Sequence, residues 1–161
     1  MAQIAIPWDR MDPEFIRKPR QWNAGTIARF MVCLGPISSL FDVLTFWVLW
    51  HVFGANTPAQ QTLFQSGWFV VGLLTQTLIV HMIRTERIPF VQSTAAPVVL
   101  ITTAAVMAVG VWLPFSPMAP AIHLQPLPGG FFVYVPLVLL AYCALTQVVK
   151  VLYLRRFKSW L

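Results

Sequence analysis

Asp42 is the residue of this chain best placed to do ion chemistry. It stands in TIARFMVCLGPISSLFDVLTFWVLW (26–50), a run that holds no other charge after Arg29. At about 1.5 Å per residue, the thirteen residues from Arg29 put it roughly 20 Å along a helix. An ionised carboxylate at the centre of a membrane span costs about 2.5–3.5 kcal/mol on insertion scales. Asp42 is therefore expected to face protein, water or an ion, not lipid. Ser38, Ser39 and Thr45 bring hydroxyl oxygens close to it in sequence. Hard cations such as Mg2+ take oxygen ligands, often carboxylates, and keep several waters. Two readings stay open. Asp42 touches a cation on its path, or it is a structural group, protonated or paired with an amide or hydroxyl of a neighbour such as Gln76 or Gln147. Either way, one carboxylate is too few for a complete metal site.

The surrounding pattern supports a packed polar centre. Gly35, Ser38, Asp42 and Thr45 follow one another at helical spacing, as one stripe of small and polar residues. Small residues let membrane helices approach closely, so the stripe is expected to face other helices. Gln65, Gly72 and Gln76 share a face of a second apolar run. Tyr142, Cys143, Thr146, Gln147 and Lys150 gather on one side of the last run. No Gly-rich phosphate loop, GxSxG or HExxH occurs, so no catalytic residue is assigned. His51, His81 and His123 lie on separate segments; for His81 both packing or lipid contact and a metal or proton role are open. Cys33 and Cys143 fall within apolar runs, without metal-ligand spacing, and are expected to pack.

The elements that hold these residues follow from composition. Of 161 residues, 58% are hydrophobic and 10% charged, and mean hydropathy is +0.71. Soluble domains carry about 25% charged residues, so lipid is the expected solvent. Four apolar runs, at about 27–50, 64–83, 94–113 and 131–154, are each long enough to cross a hydrocarbon core of about 30 Å. The fold class is an all-α bundle of four transmembrane helices. Gly35-Pro36 is expected to kink the first span, and Pro97 is tolerated in the first turn of the third. Residues 1–26, broken by Pro7, Pro13 and Pro19, form a polar loop with a helical turn near 12–17. Its apolar start could be the tail of a longer hydrophobic segment. It lacks the basic flank of a cleaved signal peptide. Residues 114–130, with five prolines and Gly129-Gly130, form a turn-rich loop. Trp50, Trp68, Trp112 and Tyr153, at span ends, suit an interfacial belt.

Charge gives the orientation. All eleven Lys and Arg lie within 10–29, 84–87 and 150–158; loops 51–63 and 114–130 hold none. With four spans those three stretches share one side, which the positive-inside rule makes cytoplasmic, together with both termini. The +6 net charge then comes from bases flanking spans and facing anionic phospholipid headgroups. No basic face with a stacking platform points to nucleic acid.

Several blocks together resemble the C-terminal end of bacterial magnesium-transporting P-type ATPases: IPWDRMD (6–12), KPRQW (18–22), RFMVCLGPISSLFDVLTF (29–46), LFQSGWF (63–69), GLLTQTLIVHMIRTERIPFVQS (72–93) and LPFSPM (113–118). The resemblance covers essentially the whole chain. It implies the end of a sixth helix, the loop after it, and helices seven to ten of a ten-helix inner-membrane pump that imports Mg2+ with ATP. The DKTG aspartate that takes the phosphoryl group in that family does not occur here. ATP would bind elsewhere in the parent enzyme. The implied partners are the bilayer with its anionic lipids and the pump's remaining helices and cytoplasmic domains. Residues 7–26 would contact the phosphorylation domain. On this view Asp42 lies on or beside the Mg2+ path, with Gly35, Ser38, Ser39 and Thr45 shaping its helix and Gln65, Gln76 and Gln147 as polar partners. A second role stays open: a stand-alone membrane protein regulating a full-length pump, or an inactive remnant of one.

Overall fold

The computed structural model describes residues 7–9, 24–85, 88–90 and 92–157. The expected turn near 12–17 lies outside them. Among the described residues four α-helices run in order: α1 (Ala24–His51), α2 (Gln61–Ile83), α3 (Pro97–Trp112) and α4 (Phe131–Phe157). Short 3-10 turns at Pro58–Gln60, Leu113–Phe115 and Ala119–Ile122 occupy the connections. With the adjoining turns added to α2 and α3, all four are long and apolar enough to cross a membrane. This is the all-helical, four-span bundle that the hydropathy pattern implied. Lipid offers no partner to a free N–H or C=O, so each apolar run closes its own backbone bonds.

Local chemistry sets the helix ends. After α1, Gly54 adopts φ +65° and Ala55 N–H bonds Leu49 O at 2.9 Å. That left-handed residue, with the six-residue return bond from Phe53 N–H to Val48 O at 3.2 Å, closes the helix C-terminus. α3 begins at Pro97 and not at 94, because Ala96 is extended (φ −57°, ψ 146°). A proline biases the residue before it away from helix while fitting the first helical position itself. α1 runs unbroken through Pro36.

α1, α2 and α4 pack pairwise on one another, and α3 packs chiefly on α2. Ile37, Phe41 and Leu49 of α1 meet Val70, Val71 and Leu74 of α2 and Phe131, Val135 and Tyr142 of α4 in one core. Two glycines permit the closest approaches. A Cβ on Gly67 would stand 2.5 Å from Leu49 Cδ2 and 3.2 Å from Phe131 Cζ, where three helices converge. One on Gly110 would stand 2.5 Å from Leu73 Cδ2, where α3 crosses α2. The outer surface is apolar, with Val32, Leu40, Ile101, Leu137 and Leu140 exposed.

The start of α1 and the end of α4 share one end of the bundle. The Arg29 guanidinium lies 5.7 Å from the Phe157 ring centroid, and Phe30 meets Tyr153 edge-on at 6.1 Å. Tyr153 is therefore a buried packing residue and not part of an interfacial belt. Lys150 departs further from expectation. It does not face headgroups; it is 0% exposed, and its Nζ donates to Met82 O at 3.1 Å. The last carbonyls of α2 lack helical partners and carry partial negative charge, which draws the ammonium inward.

Candidate functional site

An open groove of about 680 Å³ runs along α2. Gln65, Trp68, Phe69, Gly72, Leu73, Gln76, Thr77 and Val80 line it from α2, Asp42 from α1 and Val106 from α3. The α2 positions recur every three or four residues, so one face of one helix forms the floor. Ile122 and Leu124 close one end of it from the α3–α4 loop. That loop is tied down by Ser66 Oγ, which accepts from Gln125 N–H at 2.8 Å, and by Thr62 Oγ1, which donates to Gln125 Oε1 at 2.6 Å.

The α1 stripe enters this arrangement obliquely. At about 100° per residue, Gly35, Asp42, Ser38 and Thr45 fan over roughly 80° of the helix. Burial follows that order. Gly35 is exposed, with nothing within 4 Å of an added Cβ. Asp42 and Ser38 are half-buried, and Thr45 is fully buried. Thr45 Oγ1 donates to Phe41 O at 2.8 Å and lies 3.1 Å from Tyr134 Oη. The threonine hydroxyl has one proton, so Tyr134 is the donor in that second bond. Ser38 Oγ lies 3.1 Å from Tyr142 Oη. Two α4 tyrosines thus hold the inner edge of the stripe. Its outer edge, at Gly35 and Ser39, is exposed in this chain.

Asp42 stands between these edges. Its Oδ1 accepts a hydrogen bond from Trp68 Nε1 at 3.2 Å. Phe46 packs edge-on against the Trp68 ring at 5.4 Å and against Phe64 at 5.2 Å, which holds the indole in place. The structure therefore brings together Asp42, Gln65 and Gln76, with Trp68 as the group that bonds the carboxylate. Gln147 is not part of this set: its Oε1 is buried without a hydrogen-bond partner on α4. Trp68 was legible only as an interfacial residue, since sequence spacing cannot pair residues on different helices. Thr77 also lines the groove, but its hydroxyl donates to Leu73 O at 2.7 Å.

Chemically, the groove offers one carboxylate and two amides along a largely apolar helix face. Among the described residues no three His, Cys, Asp or Glu side chains gather closely enough to hold a metal ion. His81 instead packs near the other end of α2, its Nε2 3.0 Å from Thr103 Oγ1 and its ring 5.1 Å from Phe90. Thr103 gives its proton to the α3 backbone, at 2.8 Å from Val99 O, so His81 Nε2 is the donor to it.

Residues 1–152 match the family described as "Cation transporting ATPase, C-terminus". The chain is 51% identical over 160 residues, 99% of its length, to "Magnesium-transporting ATPase, P-type 1" of Salmonella typhimurium strain LT2. It is 57% identical over 157 residues, 98% of its length, to the protein of that name in Escherichia coli K12. In both cases the chain spans 18% of the relative's length.

Proposed function

This chain belongs to the cation-transporting ATPase C-terminal family, and on that footing we propose that it forms the last four membrane helices of a Mg2+-importing P-type pump. Phosphorylation and nucleotide binding belong, on this reading, to the other part of the polypeptide. The four helices brace the ion path, and Asp42 supplies at most one oxygen to it. The observation that carries the proposal is the placement of Asp42: half-buried, in an open groove with Gln65 and Gln76, on a helix that holds no other charge after Arg29. A carboxylate there cannot face lipid without a cost of about 2.5–3.5 kcal/mol. Its exposed edge needs water, an ion or a further helix of the pump.

Asp42→Asn in the longer pump polypeptide that carries this segment is the direct test. Asparagine keeps an oxygen for Trp68 and removes only the charge. Mg2+ uptake by cells on limiting Mg2+ is expected to fall roughly tenfold, about 1.4 kcal/mol, with the amount of protein in the membrane unchanged. Uptake equal to the parent's would leave Asp42 a structural residue.

The proposal also fixes an orientation in the inner membrane. Arg29, Arg155 and Arg156 are exposed at one end of the bundle, where they meet the anionic phospholipids of the cytoplasmic leaflet. Loop 114–130 then faces the periplasm. A cysteine at Gly129 should react with an impermeant maleimide in intact cells, and one at Arg155 only after the membrane is opened. The reverse pattern would invert the assignment.

A further inference from the structure

We propose that Asp9 is a positioning residue: it straps residues 7–9 across the facing ends of α2 and α3 and sets the spacing of the two helix ends there. Its carboxylate does two jobs at once. Oδ2 accepts from Arg84 Nε in an ion pair, and Oδ1 accepts from Ala96 N–H at 2.8 Å. Arg84 is the C-cap of α2 and Ala96 the N-cap of α3. One side chain therefore bridges the end of one span and the start of the next, from a point in the chain 87 residues before Ala96.

Both partners favour an anion at this spot. Ala96 has no side-chain cap of its own, and Pro97, the first helical residue, has no N–H. The positive end of the α3 dipole is thus left for an external carboxylate. Arg84 also reaches the loop, with Nη1 at 3.3 Å from Ser93 O and Nη2 at 3.4 Å from Thr94 O. The side chains of Arg84 and Asp9 are only 10% and 13% exposed, so water screens the pair weakly.

The helices so bridged are the two that flank the groove, through Leu73 and Val106. α3 packs chiefly on α2, so its strapped end is where a pull can move it. Near its other end it lies against Leu73 at Gly110. Release of Asp9 from Arg84 and Ala96 frees those two helix ends and so opens or narrows the groove between α2 and α3. This consequence rests on the reading of Asp42 given above; the strap itself does not.

The test uses the full chain in lipid nanodiscs, with Cys33 and Cys143 changed to alanine and spin labels at Trp8→Cys and Gln92→Cys, both exposed positions. The parent should give one narrow distance. Asp9→Ala removes both bonds and should raise the detached fraction roughly tenfold or more, the weight of one charge-assisted bond. Asp9→Asn keeps an acceptor for Ala96 and should fall between. Asp9→Glu should restore the narrow distance. Should the alanine variant fail to insert, Arg84→Gln reads the same ion pair from the other side. A broad distribution in the parent, or an unaltered one in both Asp9→Ala and Arg84→Gln, overturns the strap. A cysteine at Gln76 reports the groove: its alkylation rate should change several-fold in Asp9→Asn, by the same weakening of the strap. An unchanged rate overturns the link to the groove. Failure of the Asp42 reading would appear in Mg2+ uptake and leave the distances as they are.

Discussion

Lys150→Glu is expected to remove the folded bundle from the membrane. Lys150 is 0% exposed, and its ammonium sits on Met82 O at 3.1 Å, in the last turn of α2. Glutamate would set a carboxylate against carbonyls that already carry the negative end of the helix dipole. Breaking a buried charge interaction costs about 3–5 kcal/mol. That approaches the whole stability of a small domain, about 5–15 kcal/mol. Lys150→Met separates charge from volume. It fills nearly the same space and leaves one acceptor unmet, for about 1–3 kcal/mol. The check is the folded yield and melting temperature of purified protein in detergent. The expected order is parent, then Met, then Glu, with little or no folded Glu protein recovered. A Glu variant that melts with the parent would show that Lys150 does not hold α4 to α2.

Gly67→Leu is expected to have the next largest effect, through space alone. The Cβ of any substitution would arrive 2.5 Å from Leu49 Cδ2 and 3.2 Å from Phe131 Cζ. Leu49 and Phe131 are both 0% exposed, so neither can swing away into lipid. Forcing extra methylenes into a filled core costs about 1–3 kcal/mol, and leucine adds several at a three-helix junction. Gly72→Leu is the internal control. It lies on the same helix, but a Cβ there would meet nothing within 4 Å, and it faces the groove. It should melt close to the parent in isolation. On the function proposed above, it should also reduce Mg2+ uptake by the longer polypeptide, because it fills the groove beside Asp42. Equal melting of the Gly67 and Gly72 variants would contradict the packing described.

Residue chemistry alone determined that the chain is a membrane bundle. Four apolar runs of spanning length leave the backbone no choice but helix, and the clustering of every base into three stretches orders the spans. It also singled out Asp42, since a charge in such a run is costly enough to stand out. Tertiary structure decided who meets whom. Gln147 was a reasonable partner for Asp42 by type and depth, yet Trp68 makes the bond. Lys150 looked like a headgroup contact and is instead buried on the end of α2. Asp9 looked like one of several acids in a polar loop and bridges two helices. Gly35 shares a stripe with Thr45, but one edge of that stripe packs on α4 while the other stays open. The reason is common to all four cases. Hydropathy and helical period depend on a residue's own segment, and one segment's sequence carries both. Rotation of a helix about its axis is set by the neighbours it packs against, and those lie tens of residues away in the chain.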